Sequence, residues 1–155
     1  TNEMESADTE EVLAESGKNM ESAIAYAKKM ISQAIEIRDQ NSGNKNRSIL
    51  KTAVDFIDSH YMEEDMSLNK AANAANVSAN HFSALFSQNM GQTFIEYLTN
   101  LRMNKAKEYL RCTSMRSSEI AGEIGYKDAH YFSYLFKKTQ GMTPSDYRKA
   151  REDKA

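Results

Sequence analysis

The sequence predicts an all-α protein, with two tandem helix-turn-helix units joined by a long connector helix and preceded by an N-terminal linker helix of coiled-coil character. Three observations predict it. The stretch Ser67–Tyr97 recurs fifty residues later as Ser117–Tyr147. Ser67, Ala71, Ala79, Phe82, Ser83, Leu85, Phe86, Gly91, Thr93 and Tyr97 then fall, without a gap, on identical residues at 117, 121, 129, 132, 133, 135, 136, 141, 143 and 147. Such a repeat means one small helical unit used twice. The second helix of each copy also has two opposed faces. Phe82, Leu85 and Phe86 lie opposite Asn80, Ser83, Ala84 and Ser87, as Phe132, Leu135 and Phe136 lie opposite His130, Ser133, Tyr134 and Lys137. Upstream, Met20, Ile24, Ala27, Ile31 and Ala34 recur at intervals of four, three, four and three, the seam spacing of a coiled coil.

The elements follow in order. Residues 1–10 are polar and acidic and are expected to be disordered. One helix is expected from about Thr9 to Gln40, with Leu13 one heptad before Met20 and Gly17 weakening its first turns. Its thin seam suits either a parallel dimer helix over residues 9–40 or a helix packed on an upstream domain. Asn41-Ser42-Gly43-Asn44 is expected to break it. That divides the chain into an acidic helical linker, 1–44, and a domain, 45–155. The first unit, about 48–91, opens with a helix whose stripe of Leu50, Ala53, Val54, Ile57 and Tyr61 roofs the motif, and Met62-Glu63-Glu64-Asp65 reads as a solvated acidic loop. Ser67 caps a helix over Leu68–Ala75, Asn76-Val77 turns, and Ser78 caps a helix to about Gln88 that Gly91 closes.

The connector, 93–110, puts Phe94, Leu98, Leu101 and Tyr109 on or near one side, with Arg102, Lys105 and Lys107 supplying charge. Its length is roughly 27 Å at 1.5 Å per residue. In the second unit, about 116–150, Ser117 and Asp128 are expected to cap, Gly125 to turn and Gly141 to close. Pro144 opens a last short helix at the first position, where its missing N–H costs nothing.

Composition narrows the function. The 155 residues carry a net charge of −2. Residues 1–44 hold four basic and nine acidic side chains, and residues 45–155 hold sixteen and thirteen, so the net of −5 in the first part faces +3 in the second. The acidic part repels a polyanion and the rest tolerates one. No apolar run is long enough to span a bilayer and no signal peptide is present, so a cytoplasmic protein with no membrane partner is expected. The start at Thr1 reads as a piece of something longer. A single cysteine, Cys112, excludes an intramolecular disulfide or a cysteine zinc cluster and is expected to be a half-buried helix residue. His60, His81 and His130 stand at spacings that suit no helical metal pair, and there is no phosphate loop or nucleophile elbow. His60 reads as a helix-end residue beside Tyr61. No enzyme, catalytic residue, metal or cofactor is expected.

A packed helix leading through a tight turn into a presented one is what enters a DNA major groove. Groove segments on one face of B-DNA lie roughly 34 Å apart, close to the connector's reach. Residues 48–150 also resemble the DNA-binding domain of the AraC/XylS family of bacterial transcription regulators. The motifs are the connector run Tyr97–Ala106, the block Ile120–Tyr126, the helix Tyr131–Lys138 and the closing Gly141–Arg148. Their wording most resembles response regulators of the YesN type in two-component systems. The resemblance implies seven helices and sequence-specific binding to double-stranded promoter DNA. Carried over position by position, base reading falls on Asn80, Ser83 and Ala84 and on His130, Ser133 and Tyr134, the outward faces derived above. Asparagine suits adenine, histidine can donate to guanine, and alanine or tyrosine can lie against a thymine methyl. Ser78, Arg102, Lys137 and Lys138 are expected to anchor the DNA backbone, with amides at the helix starts Ala79 and Ala129 adding phosphate contacts. Many relatives carry arginine or lysine where this chain has Ala84, Tyr134, Ser87 and Gln88, which leaves the first recognition helix poor in cations. The alternative reading is a helical protein-interaction module in which residues 9–40 dimerise and the units bind a protein such as RNA polymerase.

Overall fold

The computed structural model describes the backbone of residues 2–154 and the side-chain environment of residues 18–154. Among the described residues there are seven helices: α1 (Asn2–His60), α2 (Leu68–Ala74), α3 (Ala79–Met90), α4 (Phe94–Cys112), α5 (Ser117–Glu123), α6 (Ala129–Gln140) and α7 (Pro144–Glu152). The chain divides into two compact units, Thr1–Lys45 and Asn46–Ala155. Among the described residues, no helix is long and apolar enough to cross a membrane.

Two expectations fail at the N-terminus. Helix begins at Asn2, where disorder was expected, and Asn41–Asn44 is helical, where a break was expected. Without proline, Gly43 alone costs a helix only about 1 kcal/mol, which neighbouring turns absorb. The seam residues Met20, Ile24 and Ile31 lie exposed on α1, as do Met30, Ile35 and Ile37.

The second unit holds two hydrophobic cores. The first gathers Ala53, Ile57 and Tyr61 of and just after α1, Ala71 and Ala72 of α2, Phe82 and Phe86 of α3, and Phe94 and Leu98 of α4. The second gathers Met103, Ala106 and Leu110 of α4, Ile120 and Ala121 of α5, Ile124 and Tyr126 of the turn, and Phe132 and Phe136 of α6. The expected one-sided connector needs correcting. At 100° per residue, Phe94, Leu98 and Leu101 lie about 140° around the helix from Met103, Ala106 and Leu110. α4 therefore gives one face to each core, and Arg102 falls on the sector between them.

The repeat is real in space. Phe86 meets Tyr97 edge-on at 5.5 Å and 79°, and Phe136 meets Tyr147 at 5.7 Å and 78°. Its register is not gap-free, however. Asn76 N–H donates to the Asn73 carbonyl and Val77 N–H to that of Ala72; Gly125 and Tyr126 do the same to Gly122 and Ala121. These pairs are 49 residues apart, whereas Ser78 and Asp128, the caps of α3 and α6, are 50 apart. The second turn holds one extra residue, Lys127. Hence Ser117 is the first residue of α5 and not its cap, which is Arg116. There Glu119 accepts the Arg116 N–H at 2.7 Å. The other caps form as expected: Ser67 accepts from Lys70 N–H, and Gly91 and Gly141 close α3 and α6 in the left-handed conformation.

Candidate nucleic-acid interface

Each recognition helix is held by its apolar side. Phe82, Leu85 and Phe86 bury one face of α3, and Phe132 and Phe136 bury one face of α6. The opposite faces stay open: Asn80 and Ala84 are exposed with Ser83 half-buried, and His130 and Tyr134 are exposed with Ser133 half-buried. All six residues expected to read bases therefore lie on the outward sides of two equivalent helices.

The expected backbone anchors separate. Lys137 and Lys138 are exposed in the last turn of α6, where Lys138 Nζ lies 5.9 Å from the centre of the Tyr134 ring. Ser78 accepts the His81 N–H at 3.2 Å, which leaves its own hydroxyl proton free to donate. Arg102 must be corrected. It is 6% exposed, its Nε donates to the Tyr61 carbonyl and its Nη2 to that of Glu63, both at 2.8 Å, and its guanidinium lies 4.9 Å from the centre of the Tyr126 ring. With its side chain buried and its Nε and Nη2 on these carbonyls, Arg102 is an internal tie between elements and not an exposed backbone anchor. The sequence placed it among cations of an exposed connector because α4 was expected to bury only one face.

The helix starts differ as well. Asp128 accepts the N–H groups of His130 and Tyr131 at 2.8 and 3.3 Å, so a carboxylate already occupies the start of α6 and would oppose a phosphate there. At α3 the neutral Ser78 leaves that end open to an anion. The acidic loop is less free than expected, since Lys70 Nζ pairs with Glu63 at 3.2 Å and Asp65 at 2.6 Å. The hydrogen bond from Lys70 holds the Asp65 carboxyl below its ordinary pKa. His60 ends α1 as expected, stacked on Phe56 with ring centres 4.1 Å apart. Cys112, expected to be half-buried, is exposed at the end of α4.

Two exposed recognition faces carried on one continuous connector define a double helix-turn-helix DNA-binding module. A helix-turn-helix domain family model matches residues 71–150. The C-terminal domain of AraT, a response regulator from Geobacillus stearothermophilus, is 40% identical with a TM-score of 0.65, over 66% of this chain and 85% of that one. The C-terminal domain of the two-component response regulator yesN from Fusobacterium nucleatum is 33% identical with a TM-score of 0.62, over 63% and 95%. The lactose operon transcription activator of Staphylococcus xylosus is 36% identical over 99 residues, 64% of this chain and 35% of that protein. The chain belongs to the AraC/XylS family of DNA-binding transcription regulators. It spans about a third or less of the length of curated relatives such as this activator and YtdP of Bacillus subtilis.

Proposed function

We propose that this chain is the output module of a two-component response regulator and reads two adjacent major-groove segments of promoter DNA with α3 and α6. The observation that carries the reading is the paired presentation: two helices of identical length, each buried on its phenylalanines, each offering a polar face. Asn80, Ser83 and Ala84 read one segment; His130, Ser133 and Tyr134 read the other. Ser78, Lys137 and Lys138 hold the phosphates. The response-regulator context is supported by the likeness to the AraT and yesN domains.

Residues 45–155 form the DNA-binding domain and residues 1–44 the linker, which pairs with a second copy. The exposed Met20, Ile24 and Ile31 on α1 support that pairing, because they leave apolar side chains at coiled-coil seam spacing open to a second helix. A second copy doubles the number of groove segments read.

Selection of sites from a random duplex pool, with affinities of the winners at two salt concentrations, tests the reading. Two short conserved blocks about one helical turn apart are expected, with affinity falling steeply as salt rises. A pool that enriches nothing, or binding indifferent to salt, would sink it in favour of a protein-interaction module.

A further inference from the structure

The two helix-turn-helix units meet at one small, crowded point. Gly125, in the turn of the second unit, faces the end of α1 in the first. A Cβ added there would stand 2.8 Å from the Tyr61 carbonyl oxygen and 2.7 Å from Arg102 Nη2. Its φ of +99° also suits glycine alone among common residues. Beyond that point the units part around an open groove of about 580 Å³. Glu64, Asp65 and Ile95 line one side, Lys127 and Tyr131 line the other, and Arg102 and Tyr126 lie between.

Arg102 belongs to both sides of the contact. Its two hydrogen bonds go to carbonyls just past the end of α1, where the helix leaves partial negative charge. Its guanidinium carbon lies over the ring of Tyr126, a core residue of the second unit. Among the described residues it pairs with no carboxylate, so carbonyl dipoles and a ring carry the whole charge. A buried guanidinium tolerates only one geometry for such partners, because each missing bond leaves a desolvated charge. The fork spans two carbonyls at once, which a point charge such as lysine cannot do.

We infer that Arg102 is the positioning residue that sets the second recognition helix relative to the first, and with it the base-pair spacing at which both can read one site. The spacing clause rests on the two-segment reading above; the positioning clause does not. α4 fixes the separation of the units along its axis. The Arg102–Gly125–Tyr61 contact fixes the rotation of the second unit about it. One extra base pair turns the second groove segment by about 34° and moves it 3.4 Å, so a fixed rotation selects one spacing.

Two measurements test this on the full chain, in an Arg102→Lys and an Arg102→Gln variant. The first needs no DNA. With Cys112→Ser removing the one cysteine, spin labels at Gln88→Cys on α3 and Lys138→Cys on α6 report the distance between the recognition helices. One narrow distribution is expected in the parent, clearly broadened or shifted in both variants. If Arg102→Gln fails to fold by circular dichroism, Arg102→Lys decides alone, since it keeps the charge and one bond. An unchanged distribution in a folded variant overturns the inference. The second uses the selected duplex with zero, one or two base pairs inserted between its blocks. The parent should lose tenfold or more per insertion, and Arg102→Lys threefold or less, with binding to a single block unchanged. Equal spacing dependence in parent and variant overturns the spacing clause. A pool without paired blocks would instead count against the two-segment reading, and the label distances would still judge Arg102.

Discussion

The two helix-turn-helix units share a plan and differ in what holds their turns and what their presented faces carry. The first turn closes on Asn76, with a φ of 56° in ordinary left-handed territory, and Asn76 is exposed. The second closes on Gly125, pressed against the end of α1, and is one residue longer. The contrast in charge runs along the helices. α3 presents Ser87 and Gln88 where α6 presents Lys137 and Lys138. In the first unit, Tyr97 donates to Asp58 at 2.8 Å; at the 49-residue offset that holds ahead of the second turn, the position of Asp58 falls on Lys107, which offers no carboxylate. A repeated unit can thus keep its helices and core while its turn, charge and polar ties serve different neighbours.

An arginine fork recurs at the ends of the roofing helices. Arg102 ties the carbonyls of Tyr61 and Glu63, and Arg148 of α7 ties those of Leu110 and Thr113, each at 3.2 Å. The carbonyls bound by Nε, Tyr61 and Leu110, are 49 residues apart and those bound by Nη2, Glu63 and Thr113, are 50, so they match to within one residue of register. The two arginines differ by 46 and reach them from about one helical turn apart. Only Arg102 is also enclosed by the other unit.

Exchanging the turn residues should break the comparison most severely. Gly125→Asn sets a side chain against a backbone carbonyl at a strained φ and should cost about 3 kcal/mol in denaturant unfolding, whereas Asn76→Gly should stay within about 1 kcal/mol of the parent. A Gly125→Asn protein as stable as Asn76→Gly would mean the units are not pressed together there.

Charge comes next. Lys137→Ala with Lys138→Ala should lower the slope of log affinity against log salt by about 0.9 for each phosphate no longer neutralised, across all sequences, while Ser87→Ala with Gln88→Ala should leave it unchanged. Equal slopes for both pairs would show that the second unit carries no greater electrostatic share. Base reading should then separate the faces: Asn80→Ala and His130→Ala should each relax preference at different base pairs by roughly 1–3 kcal/mol, visible in repeated site selection. Relaxation at the same base pair by both would contradict two separate segments.

The smallest effect is alkaline. Burial and then the bond to Asp58 push the Tyr97 phenol up to about 12, against an ordinary value of 10.0. The folded state holds this proton more tightly, so its contribution is whole below pH 10 and declines from there to about pH 12. Tyr97→Phe should flatten that part of a stability–pH curve, and an identical decline in the variant would remove Tyr97 as its source.

Much of the fold was legible in the residues themselves. Caps at Ser67, Ser78 and Asp128, the helix start at Pro144, left-handed stops at Gly91 and Gly141, and the phenylalanine faces of α3 and α6 are local features, readable from periodicity and from hydrogen bonds across two or three residues. The outward placement of the six candidate base readers follows from the same periodicity. The continuous α1 through Asn41–Asn44 was misread because a loop-like composition only weakens a helix. The 49-residue offset of α2 and α5 was hidden by coincident letters at Ser67 and Ser117.

From Leu68 onward the sequence by itself determined which segments are helices, about where they stop and which sides of α3 and α6 are apolar, because these depend on neighbours within about one turn. Only the tertiary structure decided that α4 serves two cores, that Gly125 must yield to a carbonyl 64 positions earlier, and that Arg102 faces inward. Its bonds span 41 and 39 residues. Whether a charge anchors DNA or is buried depends on partners at that distance, and no local pattern supplies them.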